Sequence, residues 1–252
     1  MRRAKTLAVM FVISVSSLVL LSACKKAEAP SHEPTEEATK SAATQTAAAA
    51  IEVKQPLSGD VIGSPTLVEG TASVFEGTVI VDVKDDKGKT LCSVVTQASE
   101  GAPGKGSFKA NISFVPPAAD MNGTIDAYNF SAKDGSVQNL VAVPVLVSKE
   151  LPPIVVTSPV CGDTVTSPLH VEGTASVFEA TLIVVVKDSL GNELARADVT
   201  ASEGAPGRGS FSQDLAFSVS GGPQQGTVEA FATSPQDGSV ILLFSVPVTL
   251  TP

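Results

Sequence analysis

The sequence predicts an all-β chain: two tandem β-sandwich domains behind an N-terminal signal peptide and a flexible tether. Three observations carry this. Most of the 252-residue chain is a near-duplication of itself; the segments between its turn signals alternate apolar and polar residues; and its first 50 residues hold one short apolar run followed by almost no large apolar side chain. This length accommodates two domains of about 100 residues with extra segments. A domain of that size buries roughly 60–70% of its unfolded surface, enough for a core without metal or disulfide staples.

Met1 to Lys5 is basic, Thr6 to Leu20 is apolar, and Leu21-Ser22-Ala23-Cys24 closes the run. That order is the pattern of a secretory signal peptide, so 1–23 is expected to be removed on export. A spanning helix needs about 20 apolar residues, whereas this run is shorter and includes Ser14, Ser16 and Ser17. The tetrapeptide resembles the lipobox of bacterial lipoproteins. The resemblance implies that the Cys24 thiol receives diacylglycerol, that cleavage makes Cys24 the mature N-terminus, and that acyl chains such as palmitate anchor the protein to the cell membrane or outer membrane. Each buried methylene contributes about 0.8 kcal/mol, and two or more chains are needed for firm anchoring.

Residues 24–50 hold this Cys and then a stretch rich in Ala, Thr, Glu, Pro and Ser. Such a composition cannot bury enough surface to fold, so it reads as a tether with a mean reach of about 28 Å.

From there the chain repeats. Residues 51–149 align with 154–252 at a constant offset of 103, without a gap. Val68 to Glu76 returns unchanged as Val171 to Glu179, Ala98 to Gly104 as Ala201 to Gly207, and Asp134 to Val137 as Asp237 to Val240. Residues 150–153 form a connector stiffened by Pro152 and Pro153. In the first copy, turn signals bound seven expected strands: Ile51–Gln55, Thr66–Ser73, Thr78–Lys84, Thr90–Gln97, Ser107–Val115, Thr124–Ala132 and Val137–Val147. Val79, Val81 and Val83 alternate with Thr78, Ile80 and Asp82, as a half-buried strand requires. Phe108, Ile112 and Phe114 share one face by their even spacing. Asp86-Lys87-Gly88 and Lys133-Asp134-Gly135 read as hairpin turns. Seven short strands in about 100 residues describe a two-sheet sandwich of immunoglobulin type, without the Cys pair and Trp of antibody domains.

Each copy resembles the immunoglobulin-like domain of bacterial spore germination proteins. The matching elements are Pro56 and Gly59, Ser64-Pro65, Gly70 to Glu76, Gly88, and Asp134-Gly135-Ser136, all of which recur in the second copy. The resemblance implies an extracytoplasmic, non-catalytic module, often attached to other envelope domains.

Candidate sites follow from the repeated blocks. Glu76 and Glu179 follow Phe75 and Phe178, read as buried; the carboxylates are expected to cap backbone donors at a corner, with binding or metal ligation as alternatives. Glu100, Glu203, Lys105 and Arg208 lie in the nearly identical loops, whose restraint comes either from the fold or from a partner. The spacing around Lys105 is not that of a phosphate-binding loop. Asp85, Asp134, Asp188 and Asp237, with the two loop glutamates, raise Ca²⁺ as a minor hypothesis, but no Asp-x-Asp-x-Asp run exists; no metal or other cofactor is expected. Cys92 and Cys161 occupy positions filled by Ala195 and Ser58 in the other copy. An interdomain disulfide is one reading, two separate thiols the favoured one.

Catalysis is disfavoured by inventory. His170 is the only histidine of the two repeats, and its counterpart is Leu67. A duplicated Ser-His-Asp triad or His/Cys metal cluster therefore cannot be built. Removal of Arg2, Arg3 and Lys5 leaves 14 basic against 26 acidic side chains, a net of −12, which repels nucleic acid. The expected function is a lipid-anchored module binding an envelope protein or the cell wall, with a germination link implied by the family name. A purely structural stalk is the rival, and a Ca²⁺-dependent adhesin a third reading.

Overall fold

The computed structural model describes residues 50–252. The segment expected to be a signal peptide, Cys24 and nearly all of the expected tether lie outside the described residues. The first sandwich comprises β1 (Ile51–Gln55), β2 (Val61–Ile62), β3 (Thr66–Ala72), β4 (Thr78–Lys84), β5 (Thr90–Gln97), β6 (Gly106–Ile112), β7 (Met121–Phe130) and β8 (Val137–Val147). The second repeats it with β9 (Ile154–Ser158), β10 (Thr164–Val165), β11 (Leu169–Ala175), β12 (Thr181–Asp188), β13 (Glu193–Thr200), β14 (Gly209–Leu215), β15 (Gln224–Thr233) and β16 (Val240–Leu250). Within each sandwich a three-stranded sheet faces a five-stranded one. The orders are β1-β3-β6 against β2-β8-β7-β4-β5, and β9-β11-β14 against β10-β16-β15-β12-β13. All seven strands expected in copy one are present, with ends shifted by up to three residues. The additional strand is β2, two residues long and held in parallel to the end of β8.

Alternation places the core. Val79, Val81 and Val83 of β4 point inward beside Phe108, Ile112 and Ile125, all fully buried. Leu182, Val184, Val186, Phe211, Leu215 and Val228 take the same roles in copy two. β4 departs from the half-buried expectation, because Ile80 and Asp82 on its outer face are buried too. It is a central strand, flanked by β5 and β7, so side chains from both neighbours close over it. Gly70 sits where a Cβ would overlap the Glu52 carbonyl and the Phe108 ring, and Gly173 repeats this against Val155 and Phe211. A glycine in mid-strand is therefore what lets this Phe ring approach the backbone so closely.

The two sandwiches meet at a seam. The Cys92 and Cys161 sulfurs are bonded, with Cα atoms 5.2 Å apart, which replaces the favoured expectation of separate thiols: strand β5 and the loop after β9 face each other across the connector. The Ser245 amide donates to Ser113 Oγ at 3.1 Å. Arg208 donates to the Pro152 carbonyl at 2.6 Å, tying the connector to the second sandwich.

Candidate functional site

The most closely repeated feature of the surface is the corner between β3 and β4, and its equivalent between β11 and β12. Val74 and Val177 enter the cores, and the next residue must leave them as the chain reverses. Phe75 and Phe178 are accordingly 63% and 73% exposed. Their expected burial is thus corrected: a tight turn, which places Glu76 and Glu179 at φ of 54° and 53°, aims both rings at solvent. Non-glycine residues rarely hold that conformation. Neither glutamate carboxylate has a hydrogen-bond partner among the described residues, so the expected capping role is not seen. The corner is closed by backbone instead, Gly77 N to Val74 O at 3.0 Å.

The near-identical loops brace these corners. Ala102 N donates to Val74 O at 2.8 Å and Ala205 N to Val177 O at 2.9 Å. A Cβ on Gly101 would come within 2.9 Å of Gly77 N, while one on Gly104 or Gly106 would overlap Glu100. Gly204, Gly207 and Gly209 meet the same constraints in copy two. Glu100 and Glu203 are thus folded over the glycine backbone of their own loops. Packing accounts for the restraint on the loops, yet it does not call for an aromatic ring at Phe75 or Phe178. Lys105 reaches Glu52 at 3.1 Å, and the Lys105 hydrogen bond holds the Glu52 carboxyl below its usual range. Together with the Arg208 bond to the connector, this places both basic candidates in structural contacts.

The aspartates among the Ca²⁺ candidates cap turns. Asp85 Oδ1 accepts from the Lys87 and Lys89 amides at 2.9 and 2.8 Å, and Asp188 repeats this with Leu190 and Asn192. Hydrogen bonds lower the carboxyl pKa at three turns, first from the side chains of Ser136 to Asp134, Asn192 to Asp188 and Ser239 to Asp237. Among the described residues, no group of three or more His, Cys, Asp or Glu side chains is placed to hold a metal ion.

One cluster has the distances of a catalytic triad. His170 Nδ1 lies 2.6 Å from Asp214 Oδ1, and Ser212 Oγ 3.2 Å from His170 Nε2. Glu172 Oε1, however, also meets Nε2 at 3.1 Å. Asp214 and then Glu172 raise the imidazole pKa above its ordinary value, and Glu172 shares with Ser212 the nitrogen that a triad would reserve for the serine. The cluster lies open on β11 and β14, and reads as a charge ladder across two strands.

A second acidic group went unnoticed in the sequence. Asp82 and Asp126, directly opposed on β4 and β7, are only 4% and 7% exposed. Lys84 meets Asp126 Oδ2 at 2.7 Å and Asp82 Oδ2 at 3.6 Å, and Tyr128 Oη donates to Asp82 Oδ2 at 3.3 Å, while both Oδ1 atoms are buried without a partner among the described residues. Copy two has Val185 at the position of Asp82 and keeps a single pair, Lys187 to Glu229 at 2.7 Å.

No curated protein matches the sequence significantly. Solved structures with similarity include a tetra-tandem repeat from the extending region of a large adhesion protein, 19% identical, covering 75% of this chain and 48% of that one, TM-score 0.28. The BSP domain of a biofilm associated protein is 16% identical over 79% of this chain and 29% of its own, TM-score 0.24. Titin domains Z1Z2, solved with telethonin, are 16% identical over 80% and 95%, TM-score 0.21. The chain thus spans about half the adhesion-protein chain and under a third of the biofilm-protein chain. The model of the immunoglobulin-like domain of bacterial spore germination matches twice, over residues 50–136 and 153–239. With two matches that together cover more than half of its length, the chain belongs to the family of immunoglobulin-like domains of bacterial spore germination.

Proposed function

We propose that this chain is a non-catalytic, lipid-anchored module of the cell envelope that binds an envelope protein or the wall through Phe75 and Phe178. The observation carrying this reading is the pair of large exposed rings at equivalent corners, in a block identical between copies. Other exposed rings and apolar residues are matched less well: Val95 and Phe130 become Asp198 and Thr233 in copy two, and Leu57 becomes Val160. Among the described residues, the one identical pair exposed in both copies, Val137 and Val240, offers small aliphatic side chains in place of a ring. A spacer has no need of an aromatic ring in water at both corners, whereas a binding surface uses one as an anchor. Two equivalent anchors on one chain supply bivalence, in which the second contact forms at high effective concentration.

Among the described residues, no helix is long and apolar enough to cross a membrane. Acylation of Cys24, after a signal segment with a lipobox, supplies the anchor in this reading. Replacing Cys24 by Ala is expected to move the protein from the membrane fraction to the soluble one; retention in membranes would count against the anchor. For the binding surface, Phe75→Ser and Phe178→Ser each remove one exposed ring. Crosslinking the anchored protein in its own envelope should yield a discrete adduct that weakens about tenfold with either change, on the order of 1–2 kcal/mol of lost contact. The adduct should vanish with both. An adduct insensitive to both changes refutes these corners as the site.

A further inference from the structure

We propose that Cys161 is a thiol-exchange site, at which an anionic low-molecular-weight thiol opens the Cys92–Cys161 bond and frees the two sandwiches to reorient. The seam is specialised for one arrangement. Its facing residues are Cys92, Ser113 and Val115 on the first sandwich, and Cys161 and Phe244 on the second. Their repeat equivalents are Ala195, Ala216, Ser218, Ser58 and Val141, so neither outer end carries the sulfur, the bridging hydroxyl and the large ring that the seam uses.

Access to the disulfide is one-sided. Cys92 is 1% exposed within the core of the first sandwich. Cys161 is half-buried and lines a cleft of about 260 Å³ between the domains, with Val115, Pro159, Val160 and Phe244 among its walls. That volume is roughly that of eight or nine waters; it admits the sulfur end of a small thiol. Among the described residues, Lys89 is the only charged one in the lining, and it favours an incoming thiolate and a carboxylate carried beside it.

In the exchange, the incoming thiolate sulfur bonds to Cys161 Sγ, the S–S bond breaks, and Cys92 leaves with the electron pair and takes a proton. A mixed disulfide remains on Cys161. A second thiol then regenerates free Cys161, the two small thiols being oxidised to their own disulfide. The process does not require a partner at Phe75 or Phe178.

The test uses the full-length protein, reduced glutathione as the anionic probe and cysteamine as the cationic one. Peptide mass spectrometry should find the first adduct on Cys161. Glutathione should react several-fold faster than cysteamine after correction for thiolate fraction, and Lys89→Asn, the residue of copy two, should erase that preference. Residual dipolar couplings should fit one common alignment tensor before exchange and two after it. Cys161→Ser, with the residue found at Ser58, should give two tensors without any thiol. Adduct on Cys92 first, two free thiols in the untreated protein, a persisting charge preference in the Lys89 variant, or a single tensor after exchange would each overturn the proposal.

Discussion

Asp82 introduces a buried charge that the second copy does without. One lysine serves two carboxylates, Tyr128 also donates to Asp82 Oδ2, and each carboxylate keeps a buried oxygen without a partner among the described residues. Removing Asp82 takes away an under-satisfied buried charge and leaves the Lys84–Asp126 pair intact, as Lys187–Glu229 stands alone in copy two. Asp82→Val, matching Val185, should therefore raise the melting temperature of the first sandwich in calorimetry; a fall would mean that the carboxylate is satisfied in a way these contacts do not account for. His170 gives the second prediction. Asp214 and Glu172 raise its folded pKa above the ordinary 6.5. Its contribution is thus fully present below the unfolded value and is lost as pH rises through the folded one. His170→Leu should flatten the pH dependence of second-sandwich stability across that window, while NMR of the parent should show the ring titrating above 6.5. At this scale the sequence was only partly legible. Phe75 stands next to Val74 in an apolar run, and nothing in periodicity says which of two neighbours a turn will expel. Asp82 occupies the outer face of an alternating strand, where a charge is ordinary until neighbouring strands close over it.

The corners between strands carry the next predictions. Position 180 is Ala at φ 57°, where copy one has Gly77 at φ 69°. A Cβ in that conformation costs roughly 1–2 kcal/mol, partly offset by the freedom Gly has when unfolded. Ala180→Gly should stabilise the second sandwich by about 1 kcal/mol, or several degrees of melting temperature. Gly77→Ala should destabilise the first by a similar amount or more, because its Cβ would stand 3.2 Å from the Ala98 carbonyl. In mid-strand, Gly70→Ala should cost on the order of 1–3 kcal/mol through overpacking against the Glu52 carbonyl and the Phe108 ring, measured by denaturant unfolding; an unchanged midpoint would show that both β1 and the ring give way freely. Strands were the most legible elements. Alternation and turn residues located seven of the eight in copy one, since each has a core face and a bounded length. β2 escaped because two residues carry no period, and only the distant end of β8 defines them as a strand.

For the molecule as a whole, the duplication was evident in the sequence because identical blocks recur at a constant offset. The seam was not, because it is built from the positions at which the copies differ. Cys92 and Cys161 are not equivalent in the repeat, so neither predicts the other; only the path of the connector brings them together. The same geometry has a consequence for engineering a longer array. Appending another copy of residues 154–252 would set a new Cys161 equivalent against Ala195, with Ala216 and Ser218 where the first sandwich offers Ser113 and Val115. Simple concatenation should thus produce loosely strung beads. Installing Ala195→Cys, Ala216→Ser and Ser218→Val in the preceding unit would convert its far face into a socket, and the chain would lengthen as a rod of uniform pitch.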